Sequence, residues 1–374
     1  MIYSEVKYQP ERSCTFLGSP SVVRLPDGAL LATHDYFGPG CPRNHENEES
    51  LISVYRSEDD GQSWQNITHI MNAYWSTLFV HAGAVYLFGT TQQYGSIVIR
   101  RSTDGGFRWT HPVDGKSGQL FSGGYYHEPP NYHCAPVPVL NTGRRLYRAF
   151  EDCSPCNWPD GFQSCVVSVD TQADLLDAAS WTMSNKVVFN PAWTPDTWPT
   201  CDRPGWLEGN VVQAPDGELW NILRFHATPS VDKAARLSLS PDGTTLSFAP
   251  ETGFVDLPGG MTKFTIRRDA DTGRYLALLN NNTDPARPGQ RNVLSLYASS
   301  DLWTWEHVTT LLTDESGLAP EDSVRLTGFQ YVDWQFDGAD IIYLVRMAFR
   351  GSRNFHDANR ITFHRINDFR ALLS

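Results

Sequence analysis

Three short stretches of the chain share one order of residues: serine, aspartate two positions later, then glycine and, at the end, tryptophan. They are residues 57–64 (SEDDGQSW), residues 102–109 (STDGGFRW) and a shortened version at residues 300–305 (SDLWTW). Aspartate and glycine form turns, and the tryptophan gives the following strand a large apolar anchor. Two complete copies of this pattern rarely arise by chance. The pattern therefore indicates a repeated unit of strands and turns, and it describes architecture rather than activity.

A second repeat is a hairpin, in which an apolar run, a glycine-containing turn and another apolar run follow one another. It occurs six times, at residues 21–36, 77–89, 135–150, 210–225, 262–279 and 329–348. Each copy is predicted to be the inner strand pair of a propeller blade, and the outer pairs between them lead into the serine–aspartate turns. The sequence thus predicts an all-β fold, a β-propeller of four-stranded antiparallel blades. The count is six, with a seventh, irregular blade left open within residues 153–204.

The two ends of the chain are predicted to complete one blade together. Residues 360–369 form an outer strand with no following partner, and residues 2–8 supply a strand that could pair with it. Such closure removes free sheet edges. We therefore expect one propeller domain over residues 1–374. Its 12 Trp, 15 Tyr and 19 Phe suffice for a sizeable core.

The amino-acid composition of the chain limits the kinds of molecule that it is expected to bind. The formal net charge of −12 argues against nucleic acid. No stretch approaches the roughly 18 apolar residues of a membrane span, and the first residues do not form a signal peptide. We expect a monomer located outside the cell after removal of a leader, with a cytosolic location as the alternative.

Among the seven cysteines, the pair Cys153 and Cys156 favours a loop disulfide or buried thiols over a zinc site.

Propeller geometry assigns candidate residues to one face. If the serine–aspartate turns mark the lower face, the tight hairpin turns lie there too, including His81. The start of each inner strand and the end of the second strand then point to the upper face, at the mouth of the central channel. The upper-face residues are 33–38, 92–94, 131–133 and 280–282, with Arg148, Glu151, Glu208, Asn210, Arg224, His226, Lys263, Gln330, Tyr331 and Arg346. The site candidates among them are His34, Gln93, Tyr132, His133, Arg148, Arg224, His226, Gln330, Tyr331 and Arg346.

This rim is rich in Arg, His and Tyr and poor in carboxylates. An ordinary glycoside hydrolase needs two carboxyl groups across the scissile bond, which Glu151 and Glu208 could supply. A β-elimination on a uronic acid instead needs a cation for the sugar carboxylate, a base and an acid, roles that suit Arg, His and Tyr. A core histidine at His34, a strand cap at His133 and buried ion pairs at the arginines stay open as structural alternatives.

Five longer phrases resemble the propeller family of L-rhamnose-α-1,4-D-glucuronate lyases, formerly described as rhamnosidases. They are residues 32–38 (ATHDYFG), 132–139 (YHCAPVPV), 144–151 (RRLYRAFE), 258–264 (PGGMTKF) and 328–338 (GFQYVDWQFDG). The serine–aspartate pattern is likewise similar to the Asp-box of sialidase-like propellers. The resemblance implies an exo-acting enzyme that releases terminal rhamnose from glucuronate in arabinogalactan side chains such as those of gum arabic, leaving an unsaturated uronate.

The same resemblance implies roles for individual residues. His34 and His133 are expected to be catalytic, with Tyr331 as the acid. Arg148 and Arg224 are expected to bind the carboxylate, and Gln93, Tyr132, His226, Gln330 and Arg346 to bind substrate. The sequence requires no cofactor and assigns no metal ligand. A structural calcium ion in the central channel is implied by the resemblance alone.

Two other functions stay open. A sialidase needs three arginines around one carboxylate, a tyrosine nucleophile with a glutamate partner, and an acidic aspartate. Arg148, Arg224 and Arg346 could form such a triad, but the usual Arg-Ile-Pro phrase is absent, and residues 23–26 (VRLP) stand instead beside a hairpin turn. A non-catalytic propeller that binds a glycan or a protein is the second alternative.

Overall fold

The computed structural model describes residues 3–282 and 284–373, and in them six antiparallel sheets form the blades of a propeller. Strand β1 (Ser4–Tyr8) opens the chain but belongs to the last blade. Blade 1 contains an innermost strand that is interrupted, followed by three continuous strands: β2 (Phe16–Leu17), β3 (Ser21–Arg24), β4 (Leu30–Phe37), β5 (Leu51–Ser57) and β6 (Gln65–Met71). The strands of blade 2 are β7 (Tyr74–His81), β8 (Ala84–Thr90), β9 (Ile97–Ser102) and β10 (Gln119–Phe121).

Both edge strands of blade 3 and the outer edge strand of blade 4 are split. Blade 3 consists of β11 (Tyr132–His133), β12 (Leu140–Asn141), β13 (Arg145–Cys153), β14 (Phe162–Asp170), β15 (Trp181–Met183) and β16 (Val187–Val188). Blade 4 consists of β17 (Gly205–Gln213), β18 (Leu219–His226), β19 (Lys233–Leu239), β20 (Leu246–Ser247) and β21 (Phe254–Asp256). Residues 153–204, where a seventh blade was left open, contribute outer strands to blade 3 instead.

Blades 5 and 6 complete the ring. Blade 5 consists of β22 (Thr265–Arg268), β23 (Tyr275–Asn280), β24 (Val293–Ser299) and β25 (Glu306–Thr313). Blade 6 consists of β26 (Gly328–Asp337), β27 (Asp340–Ala348), β28 (Arg360–Ile366) and β1. One α-helix, α1 (Pro320–Leu326), and the 3₁₀ turns Glu11–Ser13, Ala178–Ser180, Pro191–Trp193 and Phe369–Leu373 lie in connections. Among the described residues, no helix is long and apolar enough to cross a membrane.

The predicted closure of the ring by both ends of the chain is confirmed. Strand β1 pairs antiparallel with β28, with Ser4 opposite Phe363 and Tyr8 opposite Arg360. Ile2, with which the predicted strand began, lies outside the described residues. Val6 is buried in a cluster with Leu344 and Phe363, and this cluster joins blade 6 to blade 1.

The serine–aspartate turns lie between the two outer strands of their blades, as predicted. In the first two turns the serine hydroxyl donates to the aspartate, over 2.8 Å from Ser57 to Asp59 and 2.9 Å from Ser102 to Asp104. The third turn begins one residue earlier than the sequence pattern placed it, at Ser299, whose hydroxyl donates to Asp301 over 3.0 Å. A fourth turn at residues 240–246 was missed, because leucine stands where the others carry tryptophan.

The seven cysteines carry no disulfide. Cys153 is buried, and its backbone oxygen accepts a hydrogen bond from the Cys156 thiol over 2.6 Å. Of the two alternatives that the sequence favoured for this pair, the structure has thiols and not a loop disulfide.

The inner strands of three alternate blades share a β-bulge at the same level. The register of β7, β17 and β26 shifts there, and in each bulge a residue adopts a left-handed backbone: Trp75 with φ 43°, Glu208 with φ 59° and Tyr331 with φ 51°. Bulges re-aim side chains, and a left-handed backbone at a bulky residue is rare. Three side chains from three blades are thereby turned toward the mouth of the channel.

We predict that Val6→Asp disrupts the closure of the ring. An unpaired carboxylate in this cluster costs about 3 kcal/mol or more of unfolding free energy, and the loosened β1 would expose the edge of β28. Thermal unfolding and light scattering measure both effects. Glu5→Gln, on the exposed side of the same strand, is the matched control and should change stability by less than about 0.5 kcal/mol; equal stability of the two variants would contradict the role of β1.

Candidate active site

A cleft opens at the upper end of the channel and consists of two adjoining cavities. The first, of about 380 Å³, is lined by Arg224, Lys263 and Arg291 and by no carboxylate; we call it the cationic cavity. The second, of about 360 Å³, is lined by acidic and basic groups, and we call it the acid–base cavity. Both cavities are lined by Trp158, Tyr331 and His356. The cleft lies at the end opposite to the serine–aspartate turns, on the face to which the sequence assigned the candidate residues.

Glu208 is the central carboxylate of the cleft. Its side chain is 2% exposed and accepts hydrogen bonds from Arg224 Nη1 over 2.9 Å and from Tyr331 Oη over 2.7 Å. Burial alone would raise the pKa of Glu208, but Arg224 and the hydrogen bond from Tyr331 hold that pKa below its usual value. Burial and the neighbouring carboxylate raise the pKa of Tyr331. At neutral pH the site therefore contains a glutamate anion and a protonated phenol.

His133 is oriented by a buried carboxylate. Its Nδ1 lies 2.8 Å from Glu151 Oε2, and the other Glu151 oxygen accepts the backbone N–H of Gly209 over 3.3 Å. With Nδ1–H donating to Glu151, a neutral imidazole carries its lone pair on Nε2. The Trp75 ring packs edge-on against the imidazole, with 4.2 Å between ring centroids. His133 thus lines the acid–base cavity with its ring orientation fixed by Glu151 and Trp75.

Asp35 is a second carboxyl group of this cavity. Its two oxygens accept the backbone N–H groups of Ser19 over 2.7 Å and of Trp75 over 2.9 Å. Burial raises the pKa of Asp35 to about 7, although both hydrogen bonds oppose this rise. The carboxyl needs a glycine opposite it, because a Cβ on Gly18 would lie 1.6 Å from its Oδ1. Asp35 can hold a proton near neutral pH, as a general acid does.

Basic groups of the cationic cavity are held in place by backbone oxygens. Arg224 Nε donates to Met261 O over 2.7 Å, and Arg291 Nη1 donates to Gln290 O over 2.8 Å. Burial and then the charge of Arg224 lower the pKa of Arg291 to about 9, and burial lowers that of Lys263 to about 7. Crowded, desolvated cations of this kind favour the binding of an anion.

Arg346 lies on the other side of Tyr331. Its guanidinium carbon is 4.9 Å from the centre of the Tyr331 ring, and its Nη2 donates to His356 O over 2.6 Å. Gln330 lines the cationic cavity and donates to Phe355 O, and Gln93 lines the acid–base cavity. Six of the residues predicted from the sequence therefore line one cleft: Gln93, His133, Arg224, Gln330, Tyr331 and Arg346.

Four other predicted residues do not line either cavity. Arg148 is 0% exposed, its guanidinium packs on the rings of Phe88 and Phe150, and its Nη2 donates to Ala135 O over 3.0 Å. It has no carboxylate partner, so the buried ion pair considered for it is also absent among the described residues.

The other three are held by neighbouring side chains. His34 is buried and stacks on Tyr55, and burial lowers its pKa to about 4. The Tyr132 hydroxyl faces the sulfur of Met183 in the core between blades. His226 stands against Trp158 at the edge of the cleft.

Strand alternation explains the choice between His34 and Asp35. Successive side chains of a strand point to opposite faces, and in β4 one face packs toward blade 6 while the other packs toward blade 2. Both faces of β4 are buried, so no polar–apolar alternation in the sequence distinguishes them. His34 lies on the first face and Asp35 on the second. Other lining residues that the sequence did not assign to the upper face are Glu49, Trp75, Trp158, Arg291 and His356. Lys263, which the sequence assigned to that face, lines the cationic cavity.

Comparison with known proteins shows which solved structures share the fold of this chain. Neither a family profile nor a curated protein matches the chain. The chain is similar in structure to an α-L-arabinanase of Penicillium chrysogenum, with a TM-score of 0.56 and 16% identity over 98% of both chains. A Hadza microbial sialidase gives a TM-score of 0.61 at 15% identity, with 99% of this chain and 69% of the sialidase covered.

A leech intramolecular trans-sialidase has a TM-score of 0.58 and 12% identity, with 99% of this chain and 70% of the leech protein covered. At these identities the likeness establishes a shared β-propeller fold.

The channel residues do not fit a calcium ion. Calcium takes six to eight oxygen ligands, usually with several carboxylates. Here the ammonium of Lys263 donates to Val332 O over 2.6 Å and to Thr265 Oγ1 over 2.5 Å. The nearby Asp333 has both oxygens engaged, Oδ2 by Ser21 over 2.6 Å and Oδ1 by the backbone N–H of Trp334 over 3.0 Å. Within residues 3–282 and 284–373, no group of three His, Cys, Asp or Glu side chains could hold a metal.

We predict that chelation leaves the stability unchanged. A cation present at a concentration of one hundred times its Kd adds about 2.7 kcal/mol to the free energy of unfolding. Its removal would therefore lower the Tm by several degrees. With excess EDTA we expect the Tm to stay within about 1 °C of the untreated value. A sample with added calcium is the control. A fall in the Tm that calcium reverses would show that the channel binds the metal after all.

Proposed function

We propose that the protein is an exo-acting polysaccharide lyase, which releases terminal L-rhamnose from α-1,4-linked D-glucuronate of arabinogalactan side chains. The observation that carries this proposal is the division of the cleft: a cavity lined by Arg224, Lys263 and Arg291 adjoins a cavity that contains His133, and Tyr331 lies at their junction. A uronate carboxylate fits the first cavity. The base and the acid of an elimination are available in the second. The five sequence phrases support the same substrate.

The elimination uses these groups in one step. Arg224 and Arg291 bind the C6 carboxylate and offset its charge, which makes the C5 proton more acidic. Nε2 of His133 accepts the C5 proton, and the electron pair of that C–H bond forms the C4–C5 double bond. The bond from C4 to the glycosidic oxygen breaks, and this oxygen takes the proton of Tyr331. Free rhamnose and an unsaturated glucuronate result, and no water is consumed.

The surroundings of His133 and Tyr331 suit these roles. Glu151 keeps the proton of His133 on Nδ1, so that Nε2 is free to act as a base. The raised pKa of Tyr331 keeps the phenol protonated at neutral pH. In the free protein its proton is directed at Glu208. After turnover the phenolate regains a proton, and His133 releases the C5 proton, by exchange with solvent.

A second candidate function is glycoside hydrolysis of an acidic terminal sugar. It is favoured by the 2.7 Å contact between Tyr331 and Glu208 and by the protonated state available to Asp35. A tyrosine nucleophile with a glutamate base, and an aspartic acid that protonates the leaving group, would produce a covalent intermediate. Arg291 would then complete the arginine triad in place of Arg148. The sialidases and the arabinanase with this fold are hydrolases by name.

Incubation with a rhamnose-capped arabinogalactan distinguishes the two reactions. We expect free rhamnose together with ultraviolet absorbance from the new conjugated double bond, in equal molar amounts. Rhamnose without this absorbance would show hydrolysis and overturn the lyase. Neither product, with retained binding of the polysaccharide, would show a binding propeller.

We predict that Tyr331→Phe lowers kcat by about 100-fold or more, because proton transfer by a positioned side chain contributes 10²–10⁴-fold. The fold should persist, since the ring stays in place. Tyr55→Phe removes a buried hydroxyl outside the cleft, next to His34, and is the matched control; its kcat should stay within about threefold of wild type. Full activity of Tyr331→Phe would remove the phenol from the mechanism.

A further inference from the structure

Trp158 is a large aromatic side chain at the point where the two cavities meet. Its side chain is 49% exposed, and it lines both the cationic and the acid–base cavity. Single exposed apolar side chains are common on protein surfaces and need no explanation. The position of this one is different, because any ligand that reaches from one cavity to the other passes its ring.

The loop that carries Trp158 is held on both sides. The Gly161 N–H donates to Asn157 O over 2.7 Å, and Asp160 pairs with Arg203 over 2.5 Å. A Cβ on Gly205 would lie 2.3 Å from the Pro159 oxygen, so the start of β17 packs directly against the loop. These contacts fix the backbone on either side of Trp158. Its indole is therefore presented to the cleft before any ligand arrives.

His226 supports the indole from the protein side. The two rings meet edge-on, with 4.8 Å between their centroids. Burial and then the charge of Arg224 lower the pKa of His226 to about 4, so the imidazole is neutral at physiological pH. The structure thus gives His226 a packing role beneath Trp158, whereas the sequence suggested direct substrate binding.

A sugar that spans the cleft offers two kinds of surface. Its hydroxyl and carboxylate groups match the polar side chains of the cavities, while the C–H groups of a pyranose ring form an apolar face. Aromatic side chains in binding sites pack on such apolar faces, and a few polar groups fix the orientation. Rhamnose has in addition a methyl group in place of the usual hydroxymethyl group, which enlarges its apolar surface.

We propose that Trp158 is the stacking surface for the pyranose ring at the cleaved linkage, and that it contributes affinity rather than chemistry. This inference rests on the proposed function, because it takes the ligand to be a saccharide that reaches from the cationic to the acid–base cavity. Equal binding of ground state and transition state changes KM and not kcat. The proposal thus assigns Trp158 a kinetic signature that differs from those of His133 and Tyr331.

The test compares Trp158→Ala with Trp303→Ala. Trp303 is 37% exposed and packs on Trp220 at the opposite end of the propeller, which makes it a matched control. With rhamnose-capped arabinogalactan as substrate, Trp158→Ala should raise KM about tenfold or more and leave kcat within about threefold. Trp158→Phe should recover part of the affinity, and Trp303→Ala should behave as wild type.

Binding without turnover gives a second, independent measurement. In a Tyr331→Phe background, titration calorimetry with a rhamnosyl-glucuronate oligosaccharide should show a Kd about tenfold higher when Trp158 is alanine. An unchanged Kd, or a fall in kcat and in the Tm together, would overturn the stacking role. If the protein with Trp158 intact binds no saccharide, the proposed function fails as well; if it binds and the alanine variant binds equally, the stacking proposal fails and the function stands.

Discussion

The ring of blades depends on polar side chains that cross from the first two strands of one blade to the inner segment of the next around the channel. Each interface has at least one: Asp35 with Trp75 N, Thr77 with Val137 O, Glu151 with Gly209 N, Asn210 with Ile266 N, Asn280 with Phe329 O, and Asp333 with Ser21 and Val22 N. A backbone group buried without a partner costs about as much as a lost hydrogen bond. Inner strands of neighbouring blades belong to separate sheets and do not pair with one another, so side chains satisfy these backbone groups instead.

The same requirement explains how the cleft is built from structural residues. Asp35 and Glu151 join blades, and the first lines the acid–base cavity while the second orients His133. The bulges at Trp75, Glu208 and Tyr331 interrupt three inner strands and turn their side chains to the mouth. Left-handed backbone at such residues costs about 1–3 kcal/mol each and persists only where the surroundings enforce it. The site is thus rigid for the same physical reason that the ring is closed.

Much of the architecture could be predicted from the residues. The hairpin period and the shared turn pattern predict six blades, and the unpaired strand at each end predicts their closure. The sequence pattern did not predict the fourth serine–aspartate turn, because the pattern required a tryptophan. The hydrogen bonds of this turn need only Ser240 and Asp242. For the cleft, Arg148 and Arg224 follow similar apolar runs in the sequence but lie at different levels of their hairpins. Arg148 is two residues beyond Leu146, which pairs with Asn141 next to the turn, whereas Arg224 is five residues beyond Leu219, which pairs with Gln213. Only Arg224 therefore lies at the channel mouth, where the bulge in β17 turns Glu208 toward it.

The sequence by itself determined the period, most of the turns and the closure of the ring, because these follow from local turn chemistry and from apolar runs of strand length. Tertiary structure decided which side chain of each buried strand reaches the cleft. Inner strands of a propeller are buried on both faces, so they carry no alternation that separates His34 from Asp35. Several contacts of the cleft join residues that are far apart in the chain, and only the closed ring brings them together. They are the pairing of Glu208 with Tyr331, the packing of His226 beneath Trp158 and the adjacency of Arg224 and Arg291.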